Sequence, residues 1–428
     1  MVYISDINAR QIIDSRGNPT LEVDVLLSDG SLGRAAVPSG ASTGEYEAYE
    51  LRDQDQNFYN GLGVQKAISN VNIDIFNTFS GRNPFEQESI DLDLIELDGT
   101  TNKNKLGANA MLGFSMAVAK ASASSLKLPL YQYLGGIRSK TLPIPMMNIL
   151  NGGAHANNGL DFQECMIMPI GFTNFSDALR AGIEIFYNLK KILSEKGFSI
   201  AVGDEGGFAP NINNLEDALS YISNAVEKSG YRLGEHIFIA IDAAASELYN
   251  GNFYNLKGEN KKLNTDQLLK YWQTICSKFP VISIEDPFDE NDWDGFKEMT
   301  TLLGKKIQIV GDDLFVTNKK RLLQGINNNS ANSILIKLNQ IGTLSETIET
   351  IELAKNSGFG VVVSHRSGET EDVFISDLSV GLNSGQIKTG SVSRSDRTAK
   401  YNQLIRIEEL LGNNAHYFGN NFFNNFVQ

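Results

Sequence analysis

Cysteine is nearly absent. Two residues, Cys165 and Cys276, cannot build a disulfide framework in a chain of 428; they suit a reducing compartment and read as core thiols. Nowhere do about eighteen apolar residues follow one another, and the opening MVYISDINARQII lacks the basic and apolar regions of a secretory signal. The expectation is a cytoplasmic protein with no membrane span. Positive charge is also scarce: 37 basic residues against 51 acidic ones leave a net charge of −14, and no Lys or Arg stripe is present to follow a phosphate backbone. This argues against nucleic acid as the primary partner. The pattern G-x-x-x-x-G-K-[ST] is missing, and GFGVVV at 358–363 has the wrong glycine spacing for a dinucleotide fingerprint.

What is present falls into two rhythms. ARQIIDSRGNPTLEVDVLLSDGS alternates in short apolar segments, with turns at Arg16-Gly17-Asn18-Pro19 and Ser28-Asp29-Gly30, which predicts an opening strand meander. LGANAMLGFSMAVAKASASSL at 106–126 follows, rich in Ala, Ser and Gly, and predicts a helix packed closely on all sides. Sheet first and helices second is an α+β domain. Glycines and the prolines Pro143 and Pro145 then break the helical pattern, placing a boundary near residue 138: an N-terminal α+β domain over 1–138 and a second domain over 139–428.

Beyond residue 235 the runs HIFIAIDAA, VISIEDP, IQIVGDD, ILIKLNQ, GVVVSHRSG and QIKTGS each end in polar residues. Positions 285, 312, 337, 365 and 388 step by 27, 25, 28 and 23, about one βα unit each. That spacing predicts a (β/α) barrel. GTLSETIETIELAKNSG fits one of its helices, with Thr343 and Glu346 spaced as a capping box and Gly358 placed to stop it. Side chains alternate along a strand, so Asp242, Glu285, Asp312 and Lys337 share faces with Ala240, Ser283, Val310 and Leu335. If the intervening isoleucines pack on outer helices, all four charged groups point inward at the C-terminal mouth, where barrel active sites sit.

Three convergent carboxylates repel unless a cation sits between them. An all-oxygen set suits Mg²⁺ better than zinc. Asp313 has the opposite phase to Asp312 and reads as a cap or supporting residue. Lys337 has two readings, a structural ion pair with one of the carboxylates or a general base deprotonated by burial and metal charge. SHRSGET supplies His365, Arg366 and Ser367, and QIKTGS supplies Lys388. Cations gathered at one mouth of an acidic protein suit a small anionic substrate, gripped through Arg366. VPSGASTGEYE (37–47), HANNGLDFQECM (155–166) and GDEGGFAP (203–210) read as glycine-rich loops or as a closing lid.

These phrases, with DSRGNPT, NGGAHA, SIEDP, GDDLFVTN, LIKLNQIGT, SHRSGETED and GQIKTGSVSRSDR, closely resemble the enolases, of bacterial type, nearly end to end. The resemblance implies a TIM-like α/β barrel with irregular opening strands behind an α+β domain. It also implies a glycolytic hydro-lyase that interconverts 2-phosphoglycerate and phosphoenolpyruvate, with two Mg²⁺ per active site. By resemblance Asp242, Glu285 and Asp312 bind metal, with Ser42 meeting the second ion. Lys337 is the base and Glu205 the acid, expected to be held protonated. His155, Gln163, Glu164, His365, Arg366, Ser367 and Lys388 meet the substrate. A homodimer or homo-octamer is implied. Other readings are a different dehydratase or racemase of the same superfamily, or a scaffold or surface protein that retains the fold. Cys165 stands where the family has a bulky aromatic and HANNGLD varies a variable loop, but neither change removes a catalytic group.

Overall fold

The computed structural model describes residues 1–40 and 44–425. The chain opens with an antiparallel sheet of β1 (Ile4–Ile13), β2 (Pro19–Leu27) and β3 (Leu32–Ala36), in that order. Its first turn is fixed by Asp14, whose carboxylate accepts the N–H groups of Arg16 and Asn18 at 2.9 and 2.8 Å. Alternation along β2 buries Leu21, Val23, Val25 and Leu27. The other face carries Glu22 and Asp24, which pair with Arg10 and Arg34.

The buried face lies on the helix α1 (Ala108–Ser125), nearly all of whose residues are buried. The approach is very close: a Cβ on Gly33 would stand 2.1 Å from the Ala117 carbonyl oxygen. The small residues of α1 are therefore a packing requirement rather than a loose composition.

The second unit is a closed barrel of β4 (Ile144–Asn151), β5 (Glu164–Met168), β6 (Phe238–Asp242), β7 (Val281–Glu285), β8 (Gln308–Gly311), β9 (Ser333–Ile336), β10 (Gly360–Ser364) and β11 (Gly385–Lys388). Six neighbouring pairs are parallel, but β5 runs antiparallel to both β4 and β6. The irregular opening strands are this reversal, and it explains why a regular beat is visible only after residue 235. Two helices, α2 (Phe175–Glu195) and α3 (Leu215–Lys228), fill the single connection from β5 to β6. Each begins at an asparagine, Asn174 or Asn214, whose side-chain oxygen accepts the N–H three residues on. Helix α2 buries Phe175, Ala178, Leu179, Gly182, Ile185, Phe186, Leu189 and Ile192, the spacing of one apolar face. The isoleucines at 239, 241, 282, 284, 307, 309, 334 and 336 are all buried, as the phase argument requires.

Two details differ from the sequence reading. Thr343 does cap the helix Leu344–Asn356, accepting the Glu346 N–H at 3.3 Å, but the Glu346 carboxylate does not close the box. It takes the Thr343 hydroxyl at 2.7 Å and the Lys103 ammonium at 3.0 Å instead. Cys276 is only half-buried, whereas Cys165 is fully buried.

One carboxylate ties the two units together. Asp372, in the segment after β10, accepts from Lys120 of α1 at 2.7 and 2.8 Å and from the backbone N–H of Ala36 in β3 at 2.9 Å. Burial works to raise its pKa, but Lys120 and the N–H groups of Ala36 and Phe374 hold it below the usual carboxylate value. A depressed carboxylate contributes stability that is complete above the unfolded-state pKa and is lost as pH falls through the folded one. Asp372→Asn should therefore cost about 1.5–3 kcal/mol at neutral pH, and the gap from wild type should shrink in acid below the usual carboxylate range. Urea unfolding at neutral and acid pH measures both.

Candidate active site

The C-terminal mouth of the barrel gathers charge from several strand ends. Asp242 closes β6, Glu285 closes β7 and Lys388 closes β11, while Asp312 and Lys337 stand one residue past β8 and β9. Because β5 is reversed, Glu164 reaches the same rim from the start of its strand, opposite Asn151 and Asp242. A cavity of about 20 Å³ lies among these groups, lined in part by His155, Glu205, Lys337, His365, Arg366 and Lys388. Ser42 lies outside the described residues. The other residues singled out from sequence all meet at this mouth.

Asp242, Glu285 and Asp312 are at most 7% exposed. Lys388 supplies countercharge to the first two. Its Nζ donates to Asp242 Oδ2 at 2.8 Å and to Glu285 at 2.9 and 3.0 Å, and stands 3.2 Å from Glu164. Asp312 is served separately, by Lys337 Nζ at 2.5 Å and by the Gln340 amide at 2.9 Å. Burial alone would lower the pKa of both lysines, but the carboxylates around each raise it, Lys388 most strongly. The lysine in ILIKLNQ is therefore an ammonium in this state, held by Asp312, which is the ion-pair reading of Lys337.

Carboxylate oxygens of Glu164 and Glu205 lie within 4.8 Å of one another. Burial pushes Glu164 well above the usual carboxylate value, and the charges of Glu205, Asp242 and Glu285 push the same way. Glu205 goes the other way. Burial opposes its ionisation, but nearby positive charge, from His155 and His365 when protonated and from Arg397 and Lys388, holds it well below the usual value. That direction is opposite to the one expected of a carboxyl held protonated. Burial keeps His155 and His365 below the ordinary histidine pKa. His155 Nδ1 stands 3.7 Å from Glu164 and 3.6 Å from Glu205, and His365 Nε2 stands 3.4 Å from Glu205.

Several participants carry no charge pattern visible in the sequence. Asn148, fully buried in β4, donates to Glu205 Oε2 at 3.0 Å. Glu47 grips Arg366 through both guanidinium nitrogens at 2.8 and 3.2 Å, and Asn339 accepts from the same arginine at 3.1 Å. Gln163 donates to Asp242 at 3.1 Å. Asn339 and Gln340 lie two and three residues after Lys337, so proximity was a usable signal for them, whereas Asn148 and Glu47 become neighbours only through the tertiary fold.

Among the described residues, two groups of ligand atoms come within 4.8 Å of one another: His155, Glu164 and Glu205, and Asp286, Asp312 and Asp313. Asp286 spends its two oxygens on the backbone N–H groups of Asp312 and Asp313, at 2.9 and 2.7 Å, so this second group fixes a turn. Asp242, Glu285 and Asp312 present only hard oxygen donors, and Glu285 is pushed well above its usual pKa by burial and by the other two. Gln163 Oε1 and Glu164 Oε2 are buried without a hydrogen-bond partner beside them. An oxygen-rich, proton-holding pocket with unfilled acceptors fits Mg²⁺.

A family model described as "Enolase, C-terminal TIM barrel domain" matches residues 139–426, and one described as "Enolase, N-terminal domain" matches residues 4–134.

Lys388→Met should expose how much the carboxylates depend on a cation. Stripping the ammonium from buried charge partners costs about 3–5 kcal/mol, measured by urea unfolding in chelator. Mg²⁺ should then recover more stability in the variant than in wild type. An equal response in both proteins would place the metal elsewhere.

Proposed function

Because the chain belongs to the enolase family, matched along both of its units, we propose that it catalyses the reversible dehydration of 2-phospho-D-glycerate to phosphoenolpyruvate. The observation that carries this reading is a buried arginine, Arg366, lining one small cavity together with Lys337 and Glu205. Dehydration next to a carboxylate needs a base at C2, an acid at the C3 hydroxyl and a grip on the anion. Those are the three kinds of group gathered here.

Lys337 takes the proton from C2. To do so it must first give up its own ammonium proton to solvent, which it holds strongly while paired with Asp312. Its release as a base therefore requires the Asp312 charge to be engaged elsewhere, as it would be when Asp312, Glu285 and Asp242 hold Mg²⁺. Bound there, Mg²⁺ supplies Lewis-acid stabilisation of the extra charge that the substrate carboxylate acquires, in the lysine-and-magnesium chemistry general to this superfamily. Lys388, released from the same carboxylates, is free to meet the substrate carboxylate.

The acid role belongs to Glu205, which lines the same cavity as Lys337 and has a carboxylate oxygen within 4.8 Å of one of Glu164. A proton brought from Glu164 to Glu205 lets it protonate the leaving hydroxide. Arg366 and Ser367 hold the phosphate; the two-nitrogen grip of Arg366 on Glu47 is the geometry a phosphate would use. His155, Gln163 and His365 line the remaining wall. No helix among the described residues is long and apolar enough to cross a membrane, and a cytoplasmic, glycolytic role as a homo-oligomer completes the proposal.

The direct test is phosphoenolpyruvate formation from 2-phosphoglycerate followed by ultraviolet absorbance, with Mg²⁺ and after chelation. Activity should vanish with chelator and return with Mg²⁺. Turnover of an unphosphorylated acid instead would redirect the reading to another branch of the superfamily. A second experiment assigns the proton-transfer roles. By NMR in D₂O, Glu205→Gln should still exchange the C2 hydrogen while failing to dehydrate, and Lys337→Ala should lose both. Arg366→Ala should lower kcat/KM by about 10²-fold or more.

A further inference from the structure

Arg397 is fully buried, lies in the first turn of the helix Ser395–Leu411 and is remote from any ligand role read in the sequence. Its guanidinium holds the backbone of the two site loops. Nη1 donates to the Arg366 carbonyl at 2.6 Å, and Nη2 donates to the Ser367 carbonyl at 2.6 Å and to the Asp204 carbonyl at 3.4 Å. Nη1 also contacts His365 Nδ1, and Nε stands 2.7 Å from Asp396. One side chain therefore joins the turn bearing His365, Arg366 and Ser367 to the turn bearing Glu205.

The contact with His365 carries chemical information, because a guanidinium can only donate. Facing it, Nδ1 must offer its lone pair, which places the single ring proton on Nε2. Nε2 is the nitrogen 3.4 Å from Glu205 Oε1. We infer that Arg397 is a positioning residue that fixes His365 as the neutral Nε2–H tautomer, so that the imidazole turns its N–H, not a lone pair, toward Glu205. An Nδ1–H tautomer would turn a lone pair toward the Glu205 anion instead.

Two further features fit this role. Gly390 sits at φ +76°, and a Cβ there would come within 2.8 Å of both Arg397 Cδ and the Glu205 carbonyl oxygen. The arginine threads between Gly390 and Glu205 only because that residue has no side chain. The Ser391 N–H donates to the same Glu205 carbonyl at 2.8 Å, and the Tyr401 hydroxyl donates to the Gly390 carbonyl at 2.7 Å. The helix thus fixes Glu205 from behind by its backbone and from the side through His365.

This inference rests on the proposed roles of Glu205 and Glu164, but its first test does not depend on activity. The chain has four histidines, which makes ¹⁵N-ring labelling tractable. In the intact wild-type protein, ¹⁵N–¹H correlation spectra near neutral pH should show His365 with a protonated Nε2 and an unprotonated Nδ1. An Nδ1–H ring or an imidazolium overturns the inference even if the protein dehydrates 2-phosphoglycerate. Conversely, a correct tautomer in a protein without that activity overturns only the function. Arg397→Lys and Arg397→Gln should shift His365 toward mixed tautomers and lower kcat by about 10–100-fold, with KM changed less than about threefold. A folded variant with unchanged tautomer and unchanged kcat would show that Arg397 merely packs. If neither variant folds, the wild-type spectrum still decides.

Discussion

The mouth of this barrel depends on balancing more buried negative charge than its own cations comfortably serve. Asp242, Glu285, Glu164 and Asp312 crowd together away from water, and Lys388 and Lys337 serve as their counterions. Isolated, each carboxylate would protonate rather than stay charged. The balance is reached by sharing: one ammonium spans three carboxylates and a second takes the fourth, while burial and mutual repulsion raise the pKa of Glu164 and Glu285. A divalent ion can enter such a site without new charge being buried, because it replaces ammonium groups already there. The same exchange would free two lysines for a substrate, so metal occupancy and readiness for the anion are coupled through the same carboxylates.

The charged part of this arrangement was legible in the sequence because strand period and βα spacing are local properties. Asp242, Glu285, Asp312 and Lys337 lie at strand ends whose isoleucines mark the outward face, so their convergence followed from phase, while Lys388 followed from the βα spacing alone. Glu164 and Gln163 were harder. They precede their strand instead of ending it, and only the resemblance to a family pointed to them, since nothing local signals that β5 runs backwards. Asn148, Glu47 and Arg397 had no readable pattern, because each acts on a residue that is distant in sequence. Protonation states were the least legible feature. Glu205 is flanked by two histidines, Arg397 and Lys388, so its pKa falls rather than rises, a result of neighbours that no linear pattern displays.

Below the mouth, the barrel interior is polar and self-contained. Gln308 and Gln386 exchange reciprocal amide hydrogen bonds at 3.0 and 2.8 Å, and Ser283 and Ser333 complete the set at 3.0 Å each. Glu285 and Lys388 stand two residues further along the same strands, on the same face. Every polar group in that layer has a partner within it, so it makes no demand on the charges above. The floor of the site is neutral and rigid, and the charge balance is confined to the rim.

The reversal of β5 changes what a connection can be. In a regular barrel each strand rises to the mouth and hands over to one descending helix, so mouth loops are tied to strand tips. Here β4 turns at the mouth directly into a descending strand, and the chain climbs back through α2 and descends again through α3. The segment between those helices, 196–214, carries Glu205 and is anchored by the bond from the Asn151 N–H to Phe208 O at 2.8 Å. Glu205 therefore sits on a loop between two outer helices, not at a strand tip. That loop is bound to the barrel wall through Asn151 and through the 3.0 Å bond from Asn148 to Glu205, so a residue delivered by helices is held in the same hydrogen-bonded frame as the strand-end carboxylates.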